Sequence, residues 1–476
     1  MAHLSLGSSP RITRSVPAGL REQAKAGQVT AEAVLRVPQP LWDAVMADLL
    51  STAELERAAV GFAGIRRSGA ARQLLLRDWM PVPASEYLVQ LGYHLEVSPV
   101  FWARAAKRCR ADGEAMVIMH SHPRDPERPR FSPSDDSGER DLIPKVRARA
   151  EVPVAAVVIS PGGVTGRLTE DGAVRGMDVR AAGTFGRPDA TASHDLDAAF
   201  DRQVRALGKD GQALLRGLRV GVVGMGGLGS HVVQQLVHIG VGQVTVIDPD
   251  HVAVTNLSRL VSASRWDVWL RRRKTHLARR MTRRLGGKTR ITEISEPLAT
   301  PAAADRILDC DLVFGCTDNQ LSRTVLNAIA FQCYLPVLDL GVELQAASMG
   351  GRVAWLAPGG ACLWCMGVLD PESVRAEQLP PALRRDEEAR GYIRGIDEPA
   401  PAVVSINGVI ASLGVTEMLA RLTGFAGTAA RSSLLLYRLA DGVVRRTSPR
   451  PGPACPTCSA AGILGAGDLA PPPWQA

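Results

Sequence analysis

The chain has 476 residues, of which 46% are apolar and 22% are charged, and its formal net charge is +8. This length allows two or three domains with ample cores, and the composition is that of a soluble globular protein. No stretch of about eighteen uncharged apolar residues occurs, which excludes a membrane span, and the N-terminus lacks the apolar core and cleavage site of a signal peptide. The cytoplasm is therefore the expected compartment.

The first third of the chain predicts alternating helices and strands. Residues 1–33 are polar, basic and alanine-rich without a clear pattern, and we interpret them as an N-terminal extension. Apolar periodicity then predicts a helix over 41–50, strands over 58–65 and 73–76, a helix over 100–109, and strands over 115–119 and 152–159. This order indicates an α/β domain over residues 34–170.

Potential metal ligands follow the strand predicted at 115–119. His120 and His122 stand two residues apart at its end, so both imidazoles point to the same side and can reach one metal ion. Asp135, a short loop later in Ser132-Pro-Ser-Asp135, can complete a set of three ligands that leaves the fourth position to water. This arrangement predicts a catalytic zinc site, in which the metal lowers the pKa of water towards neutrality.

The combination of His-Ser-His-Pro with Ser-Pro-Ser-Asp resembles the JAMM (MPN-type) metalloproteases, which hydrolyse peptide or isopeptide bonds after the C-terminal glycine of ubiquitin-like proteins. The resemblance implies that His120, His122 and Asp135 are the zinc ligands. It also implies that Ser132 steadies the oxyanion of the tetrahedral intermediate.

The same family needs a general-base glutamate on an earlier strand, which passes a proton from water to the leaving amine. Glu56 opens the strand predicted at 58–65 and is the favoured residue. Its spacing to Gly61 and Gly64 differs from the commonest family pattern, so Glu54 remains an alternative.

A change in composition marks the end of this domain, because residues 171–195 are rich in Gly, Ala, Asp and Thr without periodicity and predict a linker. A second domain, over 196–449, contains a strand predicted at 220–224 and a strand at 244–247 that ends on Asp248. Between them lie glycines with GxGxxG spacing: Gly224, Gly226 and Gly229, with Gly227 among them. This is the pattern of a nucleotide-binding βαβ unit. The usual interpretation of such a unit is a dehydrogenase.

Polar residues after these strands change that interpretation. The groups that follow the strands at 244–247 and 312–314 are carboxylates, amides and cations: Asp250, Asn256, Arg259, Lys274, Asp318 and Asn319. A nicotinamide does not need so many charged groups. A triphosphate with Mg²⁺ does, since Arg259 and Lys274 can hold phosphates and Asp318 can hold the metal. The sequence therefore predicts ATP and Mg²⁺ at this site.

Together with Phe200-Asp-Arg202-Gln203, these motifs resemble the adenylating domain of the ThiF-type, ubiquitin-activating superfamily over residues 200–422. The resemblance implies a Rossmann-like, doubly wound α/β domain. In that family an arginine at the position of Arg202 reaches the nucleotide of the neighbouring subunit, so a homodimer is expected. A surface ion pair is the alternative role of Arg202.

The eight cysteines do not predict a disulfide framework. Two CxxC pairs, Cys362/Cys365 and Cys455/Cys458, have the spacing of one tetrahedral structural zinc site that fastens a C-terminal tail, residues 450–476. A redox dithiol is the alternative. The other four cysteines lie in apolar contexts and are expected to be core residues: Cys109, Cys310, Cys316 and Cys333.

The densest basic run, residues 265–290, is interpreted as a solvated helix face that also supplies Lys274. Aromatic residues are too sparse there for base stacking, so a nucleic-acid partner is not expected. Further strands are predicted at 335–340 and 353–356, and a long buried helix follows Pro401 and ends at a glycine.

One departure from the ubiquitin-activating relatives concerns the cysteine that forms their thioester. The corresponding segment here contains Asp397, and no cysteine occurs between Met366 and Ala454. A thioester at the usual position is therefore excluded. Cys316 and Cys333 are poor substitutes, because a thiol in an apolar context stays protonated. Release of the acyl-adenylate directly to a partner is favoured.

The two resemblances together predict a bifunctional enzyme of a bacterial ubiquitin-like modification pathway, since similar compact fusions occur there. Its partners would be a ubiquitin-like protein with a C-terminal glycine and a conjugating enzyme. The alternative is activation and processing of a sulfur-carrier protein for cofactor biosynthesis. From other classes, a nicotinamide oxidoreductase and a basic binding module with decayed catalytic centres are less favoured.

Overall fold

The computed structural model describes residues 33–68, 71–182, 198–285, 287–345, 348–390, 401–427 and 432–475. The chain divides into two compact units. The first comprises Met1–Asp189 and Gly465–Ala470, and the second comprises Ala190–Leu464 and Pro471–Ala476. None of the described helices combines the length and the apolarity needed to cross a bilayer.

The first unit is built on a closed barrel of seven strands in the order β1-β3-β2-β6-β7-β8-β9. Its strands, together with the separate hairpin β4–β5, are β1 (Ala33–Val37), β2 (Ala58–Ser68), β3 (Ala71–Pro81), β4 (Tyr87–Gln90), β5 (Leu95–Val97), β6 (Ala115–Ser121), β7 (Val154–Ser160), β8 (Gly163–Glu170) and β9 (Ala173–Ala181). The barrel closes because β1 pairs in parallel with both β3 and β9.

Three helices cover this barrel: α1 (Gln39–Leu49), α2 (Pro99–Asp112) and α3 (Pro133–Ala150). Alternate residues of a strand face opposite sides, so β2 contributes to two apolar clusters. Ala59 and Ala63 pack in a cluster with α1, and Val60 and Phe62 pack in a cluster with α2 and α3. Every residue of β6 is buried, which gives the end of this strand a rigid base.

The linker predicted at 171–195 is wrong over its first part, because β9 runs from Ala173 to Ala181 and pairs with β8 and β1. Asp171 and Gly172 form the tight turn between β8 and β9 with positive φ angles of 50° and 78°. The first four residues of β9 are exposed, which removed the alternation expected of a strand. The remainder of the predicted linker, at 183–195, and residues 1–32 of the extension lie outside the described residues.

The second unit contains an eight-stranded sheet in the order β12-β11-β10-β13-β14-β15-β16-β17. Its strands are β10 (Arg219–Val223), β11 (Gln243–Ile247), β12 (Arg290–Ile294), β13 (Leu312–Gly315), β14 (Val337–Gln345), β15 (Ser348–Leu356), β16 (Leu434–Arg438) and β17 (Val443–Thr447). The strands from β12 to β14 are parallel, and the three that follow are antiparallel. The Rossmann-like α/β fold predicted here is confirmed.

Nine helices of the described residues accompany this sheet: α4 (Asp201–Gly217), α5 (Gly227–His238), α6 (Arg265–Trp269), α7 (Thr275–Arg284), α8 (Pro301–Leu308), α9 (Gln320–Gln332), α10 (Pro371–Gln378), α11 (Pro381–Ala389) and α12 (Val404–Thr423). The strand order reverses at β10, which pairs with β11 on one side and β13 on the other. Ligands of open α/β sheets bind at the carboxyl ends of the strands beside such a reversal.

The C-terminal tail is predicted as one segment over 450–476, but its residues are divided between the two units. Residues up to Leu464 belong to the second unit, whereas Gly465–Ala470 belongs to the first. There Asp468 donates its N–H to the carbonyl of Ile65 at 2.7 Å, and its Oδ2 accepts the N–H of Arg67 at 2.8 Å. The short tail segment thus adds backbone contacts to β2, which nothing in its own composition indicates.

Candidate functional site

Three potential metal ligands of the first unit lie at the corners of a small triangle. Nε2 of His120 and Nε2 of His122 are 3.3 Å apart. Asp135 Oδ1 is 3.2 Å from Nε2 of His120, and its Oδ2 is 3.4 Å from Nε2 of His122. Nitrogen and oxygen ligands about 2.0–2.1 Å from a tetrahedral zinc are separated by about 3.3–3.4 Å. The donor set and its spacing therefore fit zinc.

Asp135 is held by a capping box at the start of α3. Its Oδ2 accepts the N–H of Ser132 at 2.6 Å, and Oγ of Ser132 accepts the N–H of Asp135 at 3.2 Å. Burial raises the pKa of Asp135, but hydrogen bonds from His120 and His122 outweigh it and hold this pKa below its ordinary value. Asp135 is therefore a carboxylate at neutral pH, and the hydroxyl of Ser132 keeps its proton free to donate.

The general-base candidates Glu56 and Glu54 differ sharply in their surroundings. Glu56 precedes β2 by two residues, instead of opening the strand as predicted, because Arg57 lies between it and the first paired residue. Glu56 is 5% exposed, and its Oε1 lies 3.8 Å from Nε2 of His122. Burial raises the pKa of Glu56 above its ordinary value. Glu54 is exposed, so the geometry favours Glu56.

Glu56 owes its position to the hairpin β4–β5. Its backbone N–H donates to the carbonyl of Leu91 at 2.9 Å, and its carbonyl accepts Nε2 of Gln90 at 3.0 Å. The same hairpin carries His94, whose Nδ1 lies 3.1 Å from Oγ of Ser134. The hairpin thus joins the segment of Glu56, the general-base candidate, to the start of α3, which carries Asp135. The sequence analysis missed this role, because β4 and β5 are too short to give a periodic signal.

The glycine loop of the second unit follows β10. Gly224 has φ +90°, and a Cβ at this position would lie 2.6 Å from the carbonyl oxygen of Cys316. A Cβ at Gly229 would lie 1.8 Å from the carbonyl oxygen of Gly224. Gly226 is the N-cap of α5 and Gly227 is its first residue. The chain thus turns tightly into a helix N-terminus, which is suited to phosphate.

Asp248 follows β11 and supports this loop. It is 5% exposed, its Oδ2 accepts the N–H of Met225 at 2.7 Å, and its Oδ1 accepts the N–H of Asp250 at 2.9 Å. Burial raises its pKa. Nζ of Lys274 lies 2.7 Å from Oδ2 of Asp250 and 3.8 Å from Oδ1 of Asp248. These contacts bring the predicted phosphate-binding lysine to the end of β11.

Asn256 and Arg259 occupy the next turn of the chain. Oδ1 of Asn256 accepts the N–H of Ala253 at 3.0 Å, and Nη1 of Arg259 donates to the carbonyl of Thr255 at 2.9 Å. Cδ of Arg259 also lies close to Gly227, the first residue of α5. Asn256 therefore shapes the loop, and Arg259 adds positive charge near the start of α5.

Asp318 and Asn319 follow β13 on the other side of β10. Oδ1 of Asn319 accepts the N–H of Ser322 at 2.7 Å and caps α9. Asp318 is exposed, and within the described ranges its side chain makes no hydrogen bond or ion pair. Arg202 is also exposed, on α4, and no contact of the described residues joins it to this site. The structure thus brings the predicted nucleotide-binding residues together, with the exception of Arg202.

The expected solvated face at 265–290 is partly wrong. Asp267 is 1% exposed, and Arg280 binds it through Nη1 at 2.6 Å and Nη2 at 2.9 Å. These hydrogen bonds lower the pKa of Asp267 to about 2, against the effect of burial, which raises it.

Sequence analysis also missed Asn407 of α12, which is buried against Gly227. A lone amide on the apolar face of a helix was its only signal.

The four cysteines of the CxxC pairs converge in the second unit: Cys362, Cys365, Cys455 and Cys458. Sγ of Cys362 lies 3.6 Å from Sγ of Cys455, and Sγ of Cys365 lies 3.7 Å from Sγ of Cys458. Thiolates about 2.3 Å from a tetrahedral zinc are separated by about 3.8 Å. The backbone N–H of Gly452 also donates to Sγ of Cys365 at 3.2 Å. The cluster fits a structural zinc site.

The remaining cysteines are buried, as expected for core residues. Burial raises the pKa of Cys109 and of Cys310 to about 12. Burial also raises the pKa of Cys316, which makes it a poor nucleophile. Asp397, where the relatives carry their thioester cysteine, lies outside the described residues.

The fold and the strand-end cations and carboxylates of the second unit define an adenylating nucleotide-binding enzyme. Residues 200–460 match the ThiF family, and the chain belongs to this family. It is 30% identical over 263 residues to the molybdopterin-synthase adenylyltransferase of Escherichia coli, an alignment that covers 54% of this chain and 95% of that protein.

Two further relatives have comparable coverage. The chain is 25% identical over 254 residues to the sulfur carrier protein ThiS adenylyltransferase of Escherichia coli, covering 52% of this chain and 89% of that protein. It is 27% identical over 274 residues to the SAMP-activating enzyme E1 of Haloferax volcanii, covering 56% and 92% respectively. These relatives support a ThiF-type adenylyltransferase activity that uses ATP.

Proposed function

We propose that this protein is a bifunctional enzyme that acts on a ubiquitin-like protein ending in glycine. The second unit adenylates the C-terminal glycine with ATP and Mg²⁺, and the first hydrolyses the peptide or isopeptide bond after that glycine. The hydrolytic half rests on one observation: the Nε2 atoms of His120 and His122 lie 3.3 Å apart, each lies 3.2–3.4 Å from one oxygen of Asp135, and the buried Glu56 carboxylate lies beside them. We assign the enzyme to a bacterial, cytoplasmic modification pathway.

In the adenylation, an oxygen of the C-terminal carboxylate attacks the α-phosphorus of ATP. A carbon–oxygen–phosphorus link forms, and the bond to the β-phosphate breaks, so pyrophosphate leaves with the electron pair. Arg259 and Lys274 stabilise the charge that develops on the phosphates, and the N–H groups at the start of α5 bind the same oxygens. Asp318 and its neighbour Asn319 would hold Mg²⁺.

In the hydrolysis, His120, His122 and Asp135 would hold zinc, which supplies a Lewis acid that makes water a nucleophile near neutral pH. Glu56 accepts a proton from the attacking water and later delivers it to the leaving amine. The hydroxyl of Ser132 donates a hydrogen bond to the oxygen that becomes negative. Burial of Glu56 suits this role, since a raised pKa allows the carboxyl group to act first as base and then as acid.

A single substrate explains why the two activities share one chain. The first unit frees the C-terminal glycine, by trimming a precursor or by removing the modifier from a target, and the second unit activates the same glycine. The buried thiols of the described residues are unsuited to form a thioester, so the acyl-adenylate would pass directly to a partner such as a conjugating enzyme. Arg202 would complete the nucleotide site of the neighbouring subunit in a homodimer.

Activation of a sulfur-carrier protein is a second candidate function. The similarity to the ThiS adenylyltransferase of Escherichia coli favours it. In this case sulfide would attack the acyl-adenylate and release AMP; a persulfide would instead give an acyl disulfide and AMP, and a thiol would then attack the outer sulfur and release the thiocarboxylate. The product would be a C-terminal thiocarboxylate instead of an amide, and mass spectrometry of the product distinguishes the two functions.

Adenylation is tested by ATP–pyrophosphate exchange with candidate modifiers. Exchange should need the modifier and Mg²⁺, and deletion of the terminal glycine of the modifier should abolish it. If exchange is absent with every ubiquitin-like and sulfur-carrier protein tested, the adenylating function is wrong.

Hydrolysis is tested separately with a fusion that extends the same modifier beyond its terminal glycine. Cleavage after this glycine should require zinc and should not require ATP. Exchange without cleavage would restrict the protein to activation and would refute the hydrolytic half alone.

A further inference from the structure

The N-terminus of α9 is capped by a carboxylate from another helix. Glu377 of α10 accepts the N–H of Gln320 through Oε1 at 3.0 Å and the N–H of Leu321 through Oε2 at 2.7 Å. These are the first two N–H groups of α9, which have no partner within the helix. Asn319 caps the third, the N–H of Ser322. We call Glu377 and the two N–H groups that it binds the Glu377 clamp.

The clamp acts on the loop that carries Asp318. On the other side of this residue, Nη2 of Arg323 donates to the carbonyl of Thr317 at 2.7 Å, and Oγ1 of Thr317 accepts the N–H of Asn319 at 3.2 Å. The backbone is therefore held both before and after Asp318. The carboxylate of Asp318 itself is exposed and has no hydrogen-bond or ion-pair partner in the described part of the chain.

The helix that supplies Glu377 is itself anchored. Val374 and Ala376 of α10 are buried, and Leu369, just before the helix, belongs to the apolar cluster that contains Cys362 and Cys455. The carboxylate thus comes from a segment that starts beside the cysteine cluster, so its position is fixed by packing and not by a flexible loop.

An occupied helix terminus also decides where phosphate can bind. A free helix N-terminus binds anions, but the clamp fills that of α9 with an internal carboxylate. The N-terminus of α5, after the glycine loop, carries no such carboxylate within the described residues. Phosphate is therefore directed to α5, and the loop before α9 contributes Asp318 as a metal ligand.

We infer that Glu377 is a positioning residue for the Mg²⁺–nucleotide site, because the clamp fixes the direction in which Asp318 presents its carboxylate. This inference rests on the proposed adenylation. Glutamine at position 377 would keep one acceptor but turn an NH₂ group towards the second N–H, and alanine would remove both acceptors. Either substitution retains the Asp318 residue and loosens only the backbone of the loop that carries it.

Binding of Mn²⁺, a paramagnetic substitute for Mg²⁺, tests the clamp without a protein substrate. Electron paramagnetic resonance would follow Mn²⁺ titrated into the full-length protein with a non-hydrolysable ATP analogue. We expect Glu377→Gln to weaken Mn²⁺ binding about tenfold and Glu377→Ala more, as for loss of a charge-assisted hydrogen bond. Glu372→Gln, an exposed glutamate on the same helix, is the matched control and should bind as the wild type does.

Pyrophosphate exchange adds a second measurement. The Mg²⁺ concentration for half-maximal exchange should rise in Glu377→Gln, and the rate at saturating Mg²⁺ should stay near that of the wild type. A purely structural role would reduce the folded fraction without moving the Mg²⁺ midpoint. Unchanged Mn²⁺ and Mg²⁺ midpoints in folded Glu377→Gln overturn the clamp alone. A wild type that binds no Mn²⁺–nucleotide overturns both the clamp and the adenylating function.

Discussion

Glu56 carries the most specific prediction for the hydrolytic half, because Glu56→Gln keeps the size of the side chain and removes its ability to accept a proton. The carboxylate is buried, and its 3.8 Å distance from Nε2 of His122 would let it reach a water molecule bound to a zinc ion at the three ligands. General bases contribute about 10²–10⁴-fold to rate. We therefore expect kcat/KM for fusion cleavage to fall by this factor, about 2.7–5.4 kcal/mol in the barrier.

The assay compares cleavage of a modifier fusion by the wild type, Glu56→Gln and Glu54→Gln. Glu54 is the matched control, since it is two residues away and exposed. The zinc content should be equal in all three proteins, because neither glutamate belongs to the ligand triangle. Full activity in Glu56→Gln would refute the assignment of the base. A loss confined to Glu54→Gln would move the base to that residue, against the geometry.

Three further outcomes follow from the contacts described. Asp267→Asn should lower the free energy of unfolding by about 2.4 kcal/mol at neutral pH, because the pKa of Asp267 falls from 3.8 to about 2. A lowered carboxyl pKa stabilises the fold above pH 3.8, and this contribution is lost as pH falls towards 2. Denaturant unfolding should therefore show that the difference in stability between the wild type and Asp267→Asn is smaller at pH 2 than at pH 7. An equal difference at both pH values would contradict this prediction. Cys458→Ser should reduce the zinc content from about two ions per chain to one while fusion cleavage persists, and metal analysis that finds two ions in the variant would contradict the cysteine site. Gly229→Ala should abolish ATP binding in calorimetry, since the added Cβ meets the carbonyl of Gly224 at 1.8 Å; wild-type affinity would show that the loop can move aside.

Several of the residues that sequence analysis found lie at or just after the carboxyl end of a buried strand. His120 and His122 end β6, and Asp248 and Asp318 follow β11 and β13. A run of apolar residues shows where such a strand ends, and the polar residues just beyond it meet at one edge of the sheet. Local pattern therefore predicted which groups converge, although it could not give their distances.

The residues that sequence analysis missed reach the sites from distant segments. Glu377 lies on the short helix α10, and Asn407 lies on the long helix α12. Their roles depend on which helix packs against which loop, and no spacing within the chain records this. The failure at β9 has another cause: its first half is exposed on both faces, so it has no alternation to detect.

The glycine loop alone does not distinguish an adenylating enzyme from a dehydrogenase, because both need a phosphate to approach a helix N-terminus. Of the two carboxylates at the strand ends, Asp318 makes the distinction. Both oxygens of Asp248 accept backbone N–H groups, so this residue shapes the loop in either kind of enzyme. Asp318 is exposed, and its carboxylate has no partner among the residues that the structure describes, although the backbone on each side of it is held. A carboxylate held in place and left unpaired suits a hard cation, and a nicotinamide gives it nothing to bind.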